Sequence, residues 1–201
     1  MASPASNSAQ RGPGLSARSL ALVAAALILA AGALAFVISP KKTGASLVGG
    51  PFTLQMAGGK TISDADLKGH PFIVYFGYTH CPDICPTTLA QISDVLARLP
   101  GKPIKVLFVT VDPERDTPAL MGDYVSSFDP RILGASGTLR QIEDMEHVYR
   151  VYAKKAPGKD GDYAMDHSSV IYLMDATGAF VEAFNLERRP EESAKELASY
   201  L

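Results

Sequence analysis

An uninterrupted apolar stretch near the N-terminus constrains the organisation of this chain more than any other feature. Residues 20–38 read LALVAAALILAAGALAFVI, a run of 19 residues without a charged or amide side chain. As a helix rising about 1.5 Å per residue, the run would be roughly 28 Å long, close to the roughly 30 Å hydrocarbon core of a bilayer. We therefore predict a transmembrane anchor at residues 20–38. A cleaved signal peptide is the alternative, because Ala33-Leu34-Ala35 has the small-x-small pattern of a cleavage site.

The segments on either side of this stretch differ in composition. Residues 1–19 are rich in Ser, Ala and Pro and lack apolar periodicity, which predicts a disordered tail, and residues 39–50 resemble a linker. Residues 51–201 are numerous enough to bury one hydrophobic core. We expect this domain on the periplasmic side of a bacterial inner membrane. The alternative is the mitochondrial inner membrane, facing the intermembrane space, since the N-terminal tail is acid-free and Ser-rich.

Charge and cysteine content exclude several classes of protein. The chain carries 19 basic and 21 acidic residues, and its basic residues form no run interleaved with aromatic residues. We therefore expect no nucleic-acid partner. Two cysteines are too few for a disulfide-stapled scaffold or for a four-cysteine zinc or iron–sulfur site.

The hydrophobic pattern beyond residue 50 alternates between strands and helices. Short continuous apolar runs at 71–76 and 104–111 indicate strands buried on both faces, alternation at 51–56 indicates a further strand, and apolar residues at helical spacing indicate amphipathic helices. The predicted strands are 51–56, 71–76, 104–111, 169–174 and 179–184, and the predicted helices are 87–99, one that begins at 117, 138–152 and 190–200. This order predicts a thioredoxin-like α/β domain, in which a central mixed sheet has helices on both faces.

Both cysteines follow the first buried strand. Cys81 and Cys85 lie in the segment THCPDICP, which leads from that strand into a helix. Open α/β sheets place functional sites at the carboxyl ends of their strands. At positions i and i+4 the two thiols are neighbours on one helical turn, and a helix N-terminus favours thiolate over thiol. Such a pair closes a disulfide reversibly or binds a soft metal ion, and the spacing alone leaves both uses open.

One of the four histidines is the best candidate for a third ligand. His167 precedes the strand at 169–174, where a thioredoxin-like topology passes close to the cysteines. Two thiolates and one imidazole suit Cu(I), and also Cu(II) with an added ligand. Met165 is a conceivable soft ligand, although a methionine beside a strand is by default a core residue. His70 and His147 are interpreted as surface residues. His80, next to Cys81, would raise the thiolate character of that cysteine.

Three blocks of sequence together resemble the Sco/SenC family of copper chaperones. The blocks are FGYTHCPDICPTTL at 76–89, VTVDPERDTP at 109–118 and DHSSVIYLMD at 166–175. The resemblance covers roughly residues 50–201 and extends to the single N-terminal span. It is specific because three blocks occur in the order typical of the family, whereas a Cys-x3-Cys motif alone is common.

This resemblance implies a membrane-anchored copper chaperone in which Cys81, Cys85 and His167 match the family's copper ligands. The implied partner is cytochrome c oxidase subunit II, whose binuclear copper site the family helps to assemble, with other copper chaperones or thioredoxin-like reductants as further partners. The alternative is a thiol–disulfide oxidoreductase that reduces the target's copper-ligand cysteines, with Cys81 and Cys85 as the redox pair. A peroxidase-like relative would use the same pair, and both alternatives leave His167 without a role.

The middle block contains two acidic residues whose role the sequence leaves open. Asp112 and Asp116 lie beside prolines and a predicted helix start, which is typical of turn and capping chemistry, and Arg115 would brace the loop. The alternative places one of the acids near the metal or at a partner surface. The charged segment 154–160 is predicted to be an exposed, mobile loop.

Overall fold

The computed structural model describes residues 47–158 and 162–201 of the chain. The strands within these residues are β1 (Thr53–Met56), β2 (Lys60–Ser63), β3 (Phe72–Gly77), β4 (Lys105–Thr110), β5 (Ile132–Ala135), β6 (Ala153–Pro157), β7 (Tyr163–His167), β8 (Ile171–Met174) and β9 (Phe180–Ala183). The helices are α1 (Asp64–Leu67), α2 (Ile84–Ala97), α3 (Pro118–Val125), α4 (Leu139–Tyr149) and α5 (Pro190–Ala198). None of these helices has the length and apolar character needed to cross a membrane. The predicted tail and anchor lie outside the described residues.

Five strands form the central sheet, in the order β5-β4-β3-β8-β9. β3 pairs in parallel with β4, which pairs in parallel with β5, whereas β8 lies antiparallel to both β3 and β9. All six residues of β3 are buried, as expected for an apolar strand with neighbours on both edges. The predicted central mixed sheet is confirmed.

Helices cover both faces of this sheet. Successive side chains of a strand point to opposite faces, so Phe76 and its neighbour Gly77 mark the two sides of β3. The ring of Phe76 packs against Tyr149 of α4, with the ring centroids 5.5 Å apart. On the other side, α2 approaches so closely that a Cβ on Gly77 would lie 2.7 Å from the Sγ of Cys85. Glycine at this position therefore makes room for a cysteine of α2 beneath the sheet.

Two helix ends differ from the sequence prediction. The helix predicted from residue 87 begins at Ile84, so that it includes the second cysteine. The helix predicted to reach residue 152 ends at Tyr149, because Arg150 adopts left-handed backbone angles (φ 59°) and its N–H bonds to the carbonyls of Glu146 and His147. Tyr152 therefore lies beyond the helix and is 53% exposed.

A second hairpin replaces the loop that the sequence predicts around residues 154–160. β6 and β7 pair antiparallel, from Ala153 opposite His167 to Pro157 opposite Tyr163. The prediction of a mobile loop is wrong for residues 154–157, because ladder hydrogen bonds and side-chain contacts order a segment that has no apolar periodicity. The strand β5 was not predicted from the sequence, because its four residues are too few to form a clear pattern.

A cavity of about 140 Å³ lies between α4, the loop after β4 and the β6–β7 hairpin. Glu146 of α4 lines this cavity, and burial together with repulsion from Glu143 raises its pKa to about 7. The other charged residues that line the cavity are Asp112, Glu114, Glu143, Lys154 and Lys155. Ionisation of Glu146 therefore opposes folding at neutral pH.

We expect Glu146→Gln to stabilise the protein at pH 8 and to leave its stability unchanged at pH 4. The pKa of Glu146 rises from 4.5 to about 7 on folding. The loss of stability caused by the ionised carboxylate is therefore absent below pH 4.5, grows between pH 4.5 and about 7, and is constant above pH 7. Solvent screening of the half-exposed carboxylate reduces the gain to about 1 kcal/mol, or a few degrees in Tm.

Thermal unfolding at the two pH values measures this effect. Glu187→Gln is the matched control, because it makes the same chemical change on an exposed residue. An equal Tm for wild type and Glu146→Gln at pH 8 would contradict the prediction.

Candidate metal centre

The turn between β3 and α2 positions the two cysteines. Cys81 lies in this turn, where its N–H donates to the carbonyl of Tyr78 at 3.3 Å. Cys85 lies in the first turn of α2, and its N–H donates to the Sγ of Cys81 at 3.3 Å. Both thiols are free. Cys81 retains 8% exposure whereas Cys85 has none, so Cys81 is the thiol that a partner reaches first.

Burial reverses part of the predicted electrostatics. The helix N-terminus was expected to favour the thiolate form of both cysteines, but desolvation raises the pKa of the Cys85 thiol, and its hydrogen bond with Cys81 acts in the same direction. The prediction of a low pKa is therefore wrong for Cys85, because the first turn of α2 lies under the sheet rather than in solvent. Cys85 stays protonated at neutral pH until a metal ion displaces its proton.

The imidazole of His167 faces the buried thiol. His167 ends β7, and its Nε2 lies 3.8 Å from the Sγ of Cys85. Its Nδ1 lies 3.0 Å from the carbonyl oxygen of Ser168, which only accepts hydrogen bonds, so this ring nitrogen carries the proton. The lone pair of Nε2 therefore points toward the cysteine, in the tautomer that metal-binding histidines use. The ring of Tyr78 packs edge-on against the imidazole, with centroids 5.8 Å apart.

The separation of these two atoms fits a shared metal ion. For bonds of about 2.3 Å to sulfur and about 2.0 Å to nitrogen, an angle of ~120° places the two ligand atoms roughly 3.7 Å apart. The Sγ of Cys81 lies near these two atoms, because it accepts the hydrogen bond of the Cys85 N–H. Within residues 47–158 and 162–201, no three His, Cys, Asp or Glu side chains already converge as a preformed metal site. The structure thus brings the imidazole of His167 to the thiol of Cys85, and it places the thiol of Cys81 next to Cys85.

The other candidate residues lie outside this contact. Met165 packs against the hydrophobic core, in agreement with its default interpretation. His70 and His147 are exposed on the surface. His80 is half-exposed, and its Nδ1 lies 3.1 Å from the Thr79 hydroxyl and 3.8 Å from a carboxylate oxygen of Asp116.

The two acids of the middle block brace the structure around the cysteines. Asp116 is fully buried and accepts hydrogen bonds from the Thr79 N–H at 2.9 Å, the Thr79 hydroxyl at 2.6 Å and the Thr110 hydroxyl at 2.7 Å. Asp112 is 1% exposed and binds Arg115, as the sequence predicts, and also the hydroxyl of Tyr163. The bracing interpretation therefore describes the contacts of both acids.

Sequence reasoning missed Tyr78, Ser168 and Tyr163, which surround the imidazole or hold its strand. Ser168 acts through its backbone carbonyl, which has no sequence signal. Tyr163 acts across 51 residues on Asp112, a separation that no local pattern reveals. Tyr78 lies within the cysteine block at 76–89, and its position as an aromatic residue between a strand and a thiol pair was the signal that could have identified it.

The mixed sheet, the thiol pair at the start of α2 and the facing imidazole define a thioredoxin-like protein with a dithiol–imidazole centre. A comparison with protein families makes the assignment specific. The chain belongs to the SCO1/SenC family, whose model matches residues 40–201.

Relatives from mitochondria and bacteria agree with this assignment. The chain is 43% identical over 148 residues to the mitochondrial protein SCO2 homolog of Bos taurus, covering 71% of this chain and 56% of the relative. It is 36% identical over 163 residues to the human mitochondrial protein SCO1 homolog, covering 79% of this chain and 54% of the relative. The chain thus spans little more than half the length of these relatives.

Solved structures of two relatives contain copper. Bradyrhizobium japonicum ScoI with copper bound is 54% identical, with a TM-score of 0.74 over 77% of this chain and 99% of that one. Yeast Sco1 with copper bound is 37% identical, with a TM-score of 0.70 over 76% of this chain and 87% of that one. The shared fold confirms the thioredoxin-like domain. Both relatives are similar enough in sequence to share more than the fold with this chain.

Proposed function

We propose that this chain is a membrane-anchored copper chaperone that binds one copper ion through Cys81, Cys85 and His167. The observation that carries the proposal is the 3.8 Å approach of the His167 Nε2 to the Cys85 Sγ, with the other ring nitrogen bound to a carbonyl. Copper in the structures of the Bradyrhizobium and yeast relatives supports the choice of metal. The ion is cargo for cytochrome c oxidase assembly, with the binuclear site of subunit II as its destination.

The site is suited to passing a copper ion from thiol to thiol. Binding replaces the thiol protons with copper, so the ion is held by soft ligands and a neutral imidazole. Cys81 is the more accessible thiol, and His167 is carried by a hairpin outside the central sheet. We expect a partner's thiolates to displace these two ligands before the buried Cys85, so that the ion is never free.

A thiol–disulfide oxidoreductase is the second candidate, favoured by the unequal burial of the two free thiols. The thiolate of Cys81, whose Sγ accepts the Cys85 N–H, would attack a target disulfide and form a mixed disulfide while one target thiolate leaves. Cys85 would then lose its proton and attack the Cys81 sulfur. The target leaves as a dithiol, and the two electrons come from the pair, which becomes a disulfide. No step of this reaction uses His167.

Residues 20–38 form the anchor in this proposal, and the domain acts outside the bacterial cytoplasm or in the mitochondrial intermembrane space. The resemblance to mitochondrial relatives supports a membrane-associated location. A topology reporter fused after residue 201 tests the side of the membrane, and activity of a cytoplasmic reporter would contradict it.

An anaerobic copper titration of the reduced full chain tests the proposal. We expect one copper ion per wild-type chain, and His167→Ala should weaken its binding at least about tenfold, since two thiolates remain to hold a soft ion. Formation of the disulfide between Cys81 and Cys85 should survive in this variant, because the imidazole takes no part in it.

The exposed His147 of α4 provides the matched control, and His147→Ala is expected to bind copper like the wild type. Equal copper affinity of His167→Ala and wild type would remove the imidazole from the site and favour the oxidoreductase.

A further inference from the structure

The hairpin that carries His167 is separate from the central sheet. Within residues 47–158 and 162–201, β6 and β7 form a two-stranded sheet of their own. An isolated two-stranded hairpin is at best marginally stable in water. Side-chain contacts with the rest of the domain must therefore hold this hairpin, and with it His167, in place.

Beside the apolar packing of Ala153 and Met165 against the core, three residues, which we name the latch, supply polar contacts of this kind: Asp112, Arg115 and Tyr163. The hydroxyl of Tyr163, at the start of β7, donates to Asp112 Oδ1 at 2.9 Å, and the Nε of Arg115 donates to the other oxygen of the same carboxylate. A terminal nitrogen of Arg115 also donates to the carbonyl of Tyr163 at 3.0 Å. The guanidinium carbon lies 3.7 Å from the centre of the Tyr163 ring. The loop after β4 thus binds one hairpin residue by its hydroxyl, its ring and its backbone.

Burial strengthens the polar contacts of the latch. Asp112 is 1% exposed, so its charge depends on these donors instead of water. Burial and the hydrogen bond to Asp112 raise the pKa of Tyr163 to about 12, which keeps its hydroxyl protonated as a donor. A second link between loop and hairpin, the 2.6 Å ion pair of Lys155 and Glu114, is about half exposed and adds little.

The latch lies at one end of β7 and the imidazole at the other. Tyr163 and His167 are four residues apart on one strand, so their side chains lie on the same face of the hairpin. A second contact runs from the latch to the imidazole through Tyr78: the guanidinium carbon of Arg115 lies 5.9 Å from the Tyr78 ring, which packs edge-on against His167. Loss of the latch would therefore remove contacts that hold the imidazole end of β7 in place.

We infer that the latch sets the position of His167 relative to the cysteines, which makes Tyr163 a positioning residue of the copper site. This inference rests on the proposed function, because it takes His167 as a copper ligand. An intact latch keeps the imidazole at the buried thiol. A released latch lets the hairpin move away while the two thiols still hold the ion.

Copper affinity of Tyr163→Phe, measured in the full chain, tests the inference. This variant keeps the ring and loses only the hydroxyl that binds Asp112, and we expect about tenfold weaker copper binding. Tyr152→Phe is the matched control, because it removes an exposed hydroxyl next to the same hairpin and should bind copper like the wild type. In the His167→Ala background, Tyr163→Phe should cause no further loss, since the ligand that the latch positions is gone.

Hydrogen exchange of the metal-free chain supplies a readout that does not depend on copper. We expect the amides of β6 and β7 to exchange several-fold faster in Tyr163→Phe than in Tyr152→Phe, while those of β3 and β4 stay unchanged. Unchanged exchange in the hairpin overturns the inference, as does a mobile hairpin with wild-type copper affinity. An equal loss of affinity in the His167→Ala background also overturns it, because the effect would then not act through the imidazole.

The same experiment separates this inference from the proposed function. If His167→Ala weakens copper binding while Tyr163→Phe matches Tyr152→Phe, the latch alone is wrong. If His167→Ala binds copper like the wild type, the imidazole is not a ligand, and both the proposed function and the positioning role of Tyr163 are overturned.

Discussion

Replacement of either cysteine by serine is expected to lower copper affinity by more than about 100-fold, a larger loss than follows when a residue that only orients a metal ligand is replaced. A serine hydroxyl does not deprotonate at neutral pH, so each variant loses a soft anionic ligand and keeps one thiolate and one imidazole. The chain has no other cysteine to replace the missing ligand. Anaerobic titration against a competing Cu(I) chelator measures the loss.

The two cysteine variants should differ in stability, which separates loss of a ligand from loss of the fold. Cys85 is fully buried beneath Gly77, so Cys85→Ser places a hydroxyl where water does not reach, whereas Cys81→Ser lies nearer the surface. We expect the lower Tm for Cys85→Ser and similar copper loss in both. Met165→Leu is the control, because it removes a sulfur from the same region. Wild-type affinity in either serine variant would contradict the two-thiolate site.

The central sheet was predictable because its signal is local. β3 and β4 are short apolar runs, and a strand buried on both faces needs little more than such a run followed by a turn. The start of α3 was predictable for a similar reason: the hydroxyl of Thr117 accepts the N–H of Leu120, the capping contact that the Thr-Pro pair indicates. Local rules thus account for the central strands, of which β3 leads into the cysteines.

The β6–β7 hairpin was not predictable because its stability comes from residues distant in sequence. Its strands alternate charged and small residues, and the carboxylate that anchors Tyr163 lies 51 residues earlier. The sequence identified His167 as a candidate but placed it in a loop, whereas it ends an ordered strand. The raised pKa of Cys85 has the same origin, since its burial depends on how α2 packs beneath β3 and not on its position in the helix.

Removal of the buried carboxylate in Asp116→Ala is expected to destabilise the fold by about 3 kcal/mol. Alanine leaves the N–H of Thr79 and the hydroxyl of Thr110 buried without the acceptor that they now share. Each unsatisfied buried group costs about 1–3 kcal/mol, and recovery of the carboxylate's own desolvation cost offsets part of the sum. Denaturation by urea, with an unchanged m-value, measures the difference.

Asp116→Asn distinguishes loss of shape from loss of acceptor oxygens. Asparagine keeps one oxygen for the Thr79 N–H, and its amide can donate to a threonine hydroxyl that rotates to accept, so we expect a loss of only about 1 kcal/mol. Asp123→Ala, on the exposed side of α3, is the matched control and should change stability by less than about 0.5 kcal/mol. If Asp116→Ala proves as stable as this control, the carboxylate does not hold the turn. Since Thr79 lies two residues before Cys81, a confirmed loss would show that the fold fixes the thiol pair from the loop after β4 as well as from α2.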